Sequence, residues 1–277
     1  MKRLHKPSAV CLISSLACAC VLFTGAHARG QSPTPQDSQG QEVARGIELY
    51  QRGDFKEAAE VLQRAAERDE NDADAWQHLG LAYSKLGKEK EARKALEKVI
   101  DLRFSRIAPD LPAVSREQRE YELASPEDRR ARRALLAADY ARAAEGVEQY
   151  LQLGPKDPDF WRGQLESLNF YARALTSDGQ DAVYFRPDLP EKAVIIRKPE
   201  ATYTEAARQG KTKGVVVLRM VLAADGTVDH VLALRRLPNG LTEQAMSVAR
   251  QIRFTPATKD GRPVSQSVTI QYGFDIH

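Results

Sequence analysis

Catalysis or metal binding would begin at histidine, cysteine and carboxylate side chains, and their spacing here supports neither. Cys11, Cys18 and Cys20 are the cysteines, all within one apolar run near the start. Beyond residue 28 the histidines are His78, His230 and His277, none within a helical turn of another. A helical pair of zinc ligands needs two histidines four residues apart, and no such pair exists. The sequence also lacks a nucleophile elbow, a phosphate-binding loop and a dinucleotide fingerprint. Asp69 and Glu70 are adjacent carboxylates at a segment junction, where solvated charges suffice to explain them. The expectation is a chain that is not an enzyme and takes no cofactor or metal. Arg129, Arg130, Arg132 and Arg133 form the densest basic cluster, with Glu127 and Asp128 beside it. It reads first as the wet face of a helix and second as a partner contact. No basic–aromatic constellation accompanies it, so no nucleic-acid partner is expected.

The amino-terminal residues address the compartment. Lys2, Arg3 and Lys6 precede the apolar run Ala9–Phe23, and Thr24-Gly25-Ala26-His27-Ala28 places small residues at −3 and −1 of a cut after Ala28. That is the order of a secretory signal peptide, 1–28. The run is shorter than the roughly 20 residues of a spanning helix. Retained, it would anchor the chain in the inner membrane, and membrane contact is expected only in that case. A lipoprotein reading fails because Ser15 and Ala17 stand three before Cys18 and Cys20. Cleavage leaves no cysteine, so folding must rest on burial rather than disulfides. Periplasmic export is the expected localisation.

The exported part carries 38 basic and 38 acidic residues, unevenly placed. Residues 42–191 hold 24 bases and 30 acids, whereas 192–277 hold 13 and 7. Either two solvated surfaces simply differ, or the two parts attract each other or an outside partner.

Helical periodicity must position most of the chain. Residues 29–41, rich in Gln, Ser and Pro, read as a disordered lead-in. Gly46, Gly53, Ala58, Leu62 and Ala65 then recur 34 residues later as Gly80, Gly87, Ala92, Leu96 and Val99. Gly80 and Ala92 are small where two helices must cross closely, and Trp76, Leu79, Tyr83 and Leu96 make an apolar stripe. The period and these positions resemble the tetratricopeptide repeat, giving two repeats over 42–102. Residues 103–125 read as an insertion. Ala138-Asp139-Tyr140 matches Gly53-Asp54-Phe55 in type, so 126–176 reads as a degenerate third unit with a capping helix at Phe160–Tyr171. The first helices of the repeats supply candidate groove residues: Tyr50, Gln51, Gln77, Ser84 and Lys85.

After a linker at 177–191 the period changes from helical to alternating. Tyr203–Gln209 is a short helix, Gly214–Ala223 an almost wholly apolar strand, and Asp225-Gly226 a hairpin turn into Val228–Leu234. Leu241–Ile252 is an amphipathic helix after Asn239-Gly240, and Gln266–Ile276 a last strand. In that strand Val268, Ile270, Tyr272, Phe274 and Ile276 alternate with Ser267, Thr269, Gln271 and Asp275.

This series resembles the TonB C-terminal domain family over 192–277. The matching residues are Pro199, Tyr203-Thr204-Glu205-Ala206-Ala207-Arg208, Gly214, Asp225-Gly226-Thr227-Val228, Leu241–Ala245, Ile252–Ala257, Gly261, Val264 and Phe274. The resemblance implies a small α+β domain, a three-stranded antiparallel sheet with helices on one face, attached to an all-α helical-repeat solenoid. It also implies a protein partner: an extended segment of an outer-membrane or envelope protein, paired along the open edge Gln266–Ile276, with Ser267, Thr269 and Gln271 on the exposed side. Two departures weigh against force transmission. The apolar run has no Ser-x-x-x-His pattern, and helical repeats replace a proline-rich spacer. The alternatives are a scaffold whose C-terminal domain self-associates or packs on its own repeats, and a membrane-anchored energy transducer if the first segment is retained.

Overall fold

A computed structural model describes residues 35–108, 124–177, 182–185 and 188–275. The expected signal peptide, the start of the lead-in and most of the insertion lie outside these residues, as do Ile276 and His277.

Among the described residues six helices stack in chain order: α1 (Pro35–Arg52), α2 (Phe55–Arg68), α3 (Ala73–Lys85), α4 (Glu89–Ile107), α5 (Pro126–Gln152) and α6 (Pro158–Ala174). The two expected turns are made by Gly53 (φ 89°) and Gly87 (φ 71°), in the left-handed region that glycine enters without a Cβ penalty. Close crossing explains the other repeated glycine. A Cβ on Gly46 would fall 2.5 Å from Leu62 Cγ, and one on Gly80 3.0 Å from Leu96 Cδ2. Asp72 caps α3 by accepting from the Asp74 and Ala75 amides, an arrangement that stabilises a helix by about 1 kcal/mol.

Three boundaries differ from expectation. Helix α1 opens at Pro35, inside the stretch read as a lead-in, because proline is tolerated at a first helical turn and Gln and Glu continue it. Helix α4 runs to Ile107, burying Arg103, Phe104 and Ile107, so the insertion begins later than residue 103. Helix α5 passes unbroken through Ala138-Asp139, where likeness to Gly53-Asp54 placed a turn. Alanine does not supply the left-handed residue such a turn requires. Tyr140, Ala143, Ala144 and Val147 are buried on the continuous helix, and the chain turns instead at Gly154 (φ 62°).

The C-terminal domain follows the order β1 (Val194–Arg197), α7 (Glu205–Gln209), β2 (Gly214–Leu222), β3 (Val228–Arg235), α8 (Leu241–Ala249), β4 (Arg253–Thr255), β5 (Ala257–Lys259), β6 (Arg262–Val264) and β7 (Gln266–Phe274). The three-stranded sheet is antiparallel in the order β3-β2-β7, with Gly214 opposite Phe274 and Leu222 opposite Gln266. Strands β1 and β4 form a two-stranded ribbon, and β5 and β6 a hairpin. Asp225 fixes the β2–β3 turn by accepting from the amide and hydroxyl of Thr227, and this hydroxyl holds its carboxyl below the usual carboxylate range.

The sheet is covered on both faces, not one. On the first, Val216, Leu218, Met220 and Leu222 pack with Ile270, Tyr272, Phe274 and the buried side of α8. On the second, Val217, Val221, Leu232 and Leu234 join Tyr140, Ala144, Tyr171 and Ala174 of the helical stack in one core. This explains the apolar run of β2, since a central strand between two layers has no wet side. The single break in that run, Arg219, donates to the Tyr140 hydroxyl and at 3.4 Å to Thr269 Oγ1.

Candidate partner-binding edge

A three-stranded sheet has two outer edges, and the backbone of alternate residues points out of each. At β3 two such groups are taken by a helix. The Ala233 amide donates to Gln164 Oε1 at 2.8 Å, and the Tyr171 hydroxyl donates to the His230 carbonyl at 3.3 Å. Both side chains come from α6. His230 sits at φ 47° beside a break in the β2–β3 register, and its ring stacks on Phe170 with centroids 3.5 Å apart. Burial lowers its pKa, with Asp229 and Glu166 pulling the other way. Tyr171 and Tyr140 lie stacked in this interface, and burial raises both phenols.

At β7 the pattern reverses. The Ser267 amide donates to the Tyr184 carbonyl at 2.9 Å, and the Tyr184 amide to the Ser265 carbonyl at 3.0 Å, a short parallel bridge. By alternation Thr269, Gln271 and Gly273 also point outward. The Gln271 carbonyl accepts from Lys198 Nζ at 2.7 Å. Among the described residues, the amides of Thr269 and Gly273 have no hydrogen-bond partner. Open space surrounds Gly273, where a Cβ would meet nothing within 4 Å.

Strand β1 flanks this edge. The Ala193 amide donates to Gln266 Oε1 at 2.8 Å, and Lys198 reaches Gln271, so both ends of β1 are tied to β7 in parallel sense. Val194, Ile195 and Ile196 are exposed there, Ile196 by 71%. Sequence reasoning missed this strip; the signal was three β-branched residues between Pro190 and Pro199.

The expected site residues separate. Thr269 is exposed and Gln271 half-buried, but Ser267 is only 6% exposed, because its end of the strand meets the buried Tyr171 phenol of the helical stack. In the repeats, Gln51 and Lys85 are exposed and Ser84 is half-buried. Tyr50 is half-buried, its ring 5.4 Å from Phe55. Gln77 is not a groove residue: it is 4% exposed, donates to Glu145 Oε1 and Gln149 Oε1 on α5, and accepts from Arg103 at 3.1 Å. It works as a strut between α3 and α5. The arginine cluster divides as well. Arg133 donates to the Val183 carbonyl and, with Arg129, lies 3.9 Å from the Asp188 carboxylate, whereas Arg130 and Arg132 face solvent. Among the described residues no group of His, Cys, Asp and Glu could hold a metal ion, and no helix is long and apolar enough to cross a membrane.

Comparison with known proteins agrees with this anatomy. Residues 199–276 match the family model of the Gram-negative bacterial TonB protein C-terminal. Residues 46–87 and 73–106 match tetratricopeptide-repeat models. No curated protein matches the chain. Among solved structures, the Yersinia enterocolitica type III secretion translocator chaperone SycD is 15% identical, with a TM-score of 0.25, covering 50% of this chain and 85% of that chain. The same chaperone in complex with a peptide of the translocator YopD is 15% identical, with a TM-score of 0.24, covering 50% and 93%. Residues 199–276 of this chain are a TonB C-terminal domain, carried behind tetratricopeptide repeats at residues 46–106.

Proposed function

We propose that this chain is an exported, non-enzymatic interaction protein whose β7 edge pairs with an extended segment of an envelope or outer-membrane transport partner, the repeats serving as its scaffold. The observation that carries this reading is the asymmetry of the sheet: α6 packs on the β3 edge and bonds it at Ala233 and His230, while Thr269 and Gly273 offer outward amides with no partner among the described residues. Unpaired strand edges are where added strands bind, through main-chain hydrogen bonds. The TonB C-terminal match supports a partner in the Gram-negative envelope. Export rests on residues 1–28 and is tested by sequencing the amino terminus of the mature protein: a start at Arg29 supports it, and a retained Met1 overturns it in favour of an anchored transducer.

The chain without its first 28 residues has no cysteine, so a single cysteine at Thr269 reports pairing directly. Disulfide trapping is expected with outer-membrane transporters that carry a cysteine in their extended periplasmic segment. A matched cysteine at Ser247, exposed on α8, is expected to trap none. Equal trapping at both positions overturns the reading.

A second reading, a scaffold closed on itself, is favoured by the burial of one sheet face against α5 and α6. The two readings are compatible in space, since that contact uses a face of the sheet and leaves the β7 edge outside it.

A further inference from the structure

Two of the chain's own groups already occupy part of the β7 edge, and they differ in how firmly they are held. Tyr184 contributes main chain. Its neighbour Val183 is buried, and the Val183 carbonyl accepts from Arg133 at 3.1 Å. The Asp188 amide donates to the Phe185 carbonyl at 2.9 Å and its carboxylate accepts from the Phe185 amide at 3.4 Å, which ties the residue directly after Tyr184. Lys198 contributes only a side chain. Its ammonium sits on the Gln271 carbonyl and lies 4.6 Å from the centre of the Tyr272 ring, on a residue that is itself exposed. A lysine head on a flexible stem can leave without moving backbone.

We propose that Tyr184 is a fixed stop and Lys198 a displaceable guard, and that together they set how much of the β7 edge a partner uses. The inference rests on the strand-pairing reading above. The stretch from Thr269 to Gly273 holds five residues, about 17 Å of strand at about 3.4 Å per residue. An incoming extended peptide pairs there, displaces Lys198 from Gln271, and ends or turns away where Tyr184 begins. Between partners, the ammonium occupies the carbonyl in the middle of the open stretch. A charged lysine on an exposed strand edge also discourages pairing with other strands, including those of a second copy.

The test uses the full chain and neutral, end-capped, fluorescein-labelled probes of alternating threonine and valine, five, seven and nine residues long, read by fluorescence polarisation. The wild-type protein is expected to bind all three within about twofold, because pairing saturates at five residues. Lys198→Ala is expected to tighten binding of each probe threefold to tenfold, and Lys198→Arg to restore the wild-type value. Tyr184→Pro, checked for folding by thermal unfolding, is expected to make affinity grow with probe length. A nine-residue probe that binds wild type tenfold more tightly than the five-residue one removes the stop, and Lys198→Ala binding within twofold of wild type removes the guard. Thr269→Pro separates this from the underlying reading. If that variant binds the probes undiminished, edge pairing itself fails; if it loses them while length and Lys198 have no influence, only the stop and guard fail.

Discussion

The β3 and β7 edges belong to one sheet and border the same central strand, yet they meet opposite surroundings. At β3 a helix delivers a buried amide and a buried phenol onto the outward backbone groups. At β7 the chain supplies one short bridge and one lysine ammonium, and among the described residues it leaves the Thr269 and Gly273 amides without a partner. Packing thus engages one edge, while the other is covered only at Ser267, by backbone, and at Gln271, by a side chain. An exposed strand is a liability unless it is shortened, charged or covered. Here the covering stops where binding would begin.

Substitutions can break this contrast from either side. The largest effect is expected at Tyr171, wholly buried between α6 and β3. Tyr171→Ala should cost about 3–5 kcal/mol, the range for emptying a core aromatic site, measured by denaturant unfolding. Gln164→Leu keeps the volume but leaves the Ala233 amide buried and unpaired, at a cost of roughly 1–3 kcal/mol. The same variant should raise hydrogen exchange at Ala233 and leave Thr269 unchanged.

A smaller effect is expected from pH. Burial holds His230 below its ordinary value of 6.5, against Asp229 and Glu166 and with Arg173, so the unfolded chain takes up a proton first as pH falls. Stability from this group is complete above pH 6.5 and is lost as pH drops toward the lowered native value. His230→Phe, which keeps the ring stack on Phe170, should flatten that part of the stability–pH curve. Thr269→Pro completes the series with a modest change in stability, on the order of 1 kcal/mol, because the deleted amide faces away from β2 while the long hydrogen bond that Thr269 Oγ1 accepts from Arg219 is lost. It should nevertheless lower probe binding at least tenfold.

Much of this architecture was legible from spacing. The 34-residue recurrence located Gly46, Gly53, Gly80 and Gly87 at contacts and turns where a larger residue would collide or be strained. Alternation located β7, and Asp225-Gly226 located the hairpin. What alternation cannot encode is the layer lying beyond a polar face. Ser267 looks solvent-facing from its polar neighbours in the period, yet it lies buried against the Tyr171 phenol. The information was in β2, whose apolar run continues onto both faces. Gln77 is ambiguous for a related reason: a polar residue on a first repeat helix fits an open groove as well as a strut, and the deciding partners, Glu145 and Gln149, lie 68 and 72 residues away. The likeness of Ala138-Asp139 to Gly53-Asp54 misled because it matched residue type without the glycine that makes the turn.

Arg219 gives the sheet a mechanical character. A strand paired along β7 and pulled lengthwise loads its hydrogen bonds in shear, so they resist together rather than opening one by one. The load passes from β7 to β2 across nine paired residues. From β2 it has a sideways route, through the Arg219 guanidinium to the Tyr140 hydroxyl on α5, and from β3 through the His230 carbonyl to Tyr171 on α6. Tension at such a paired edge would thus reach the helical stack through side chains as well as through the covalent chain.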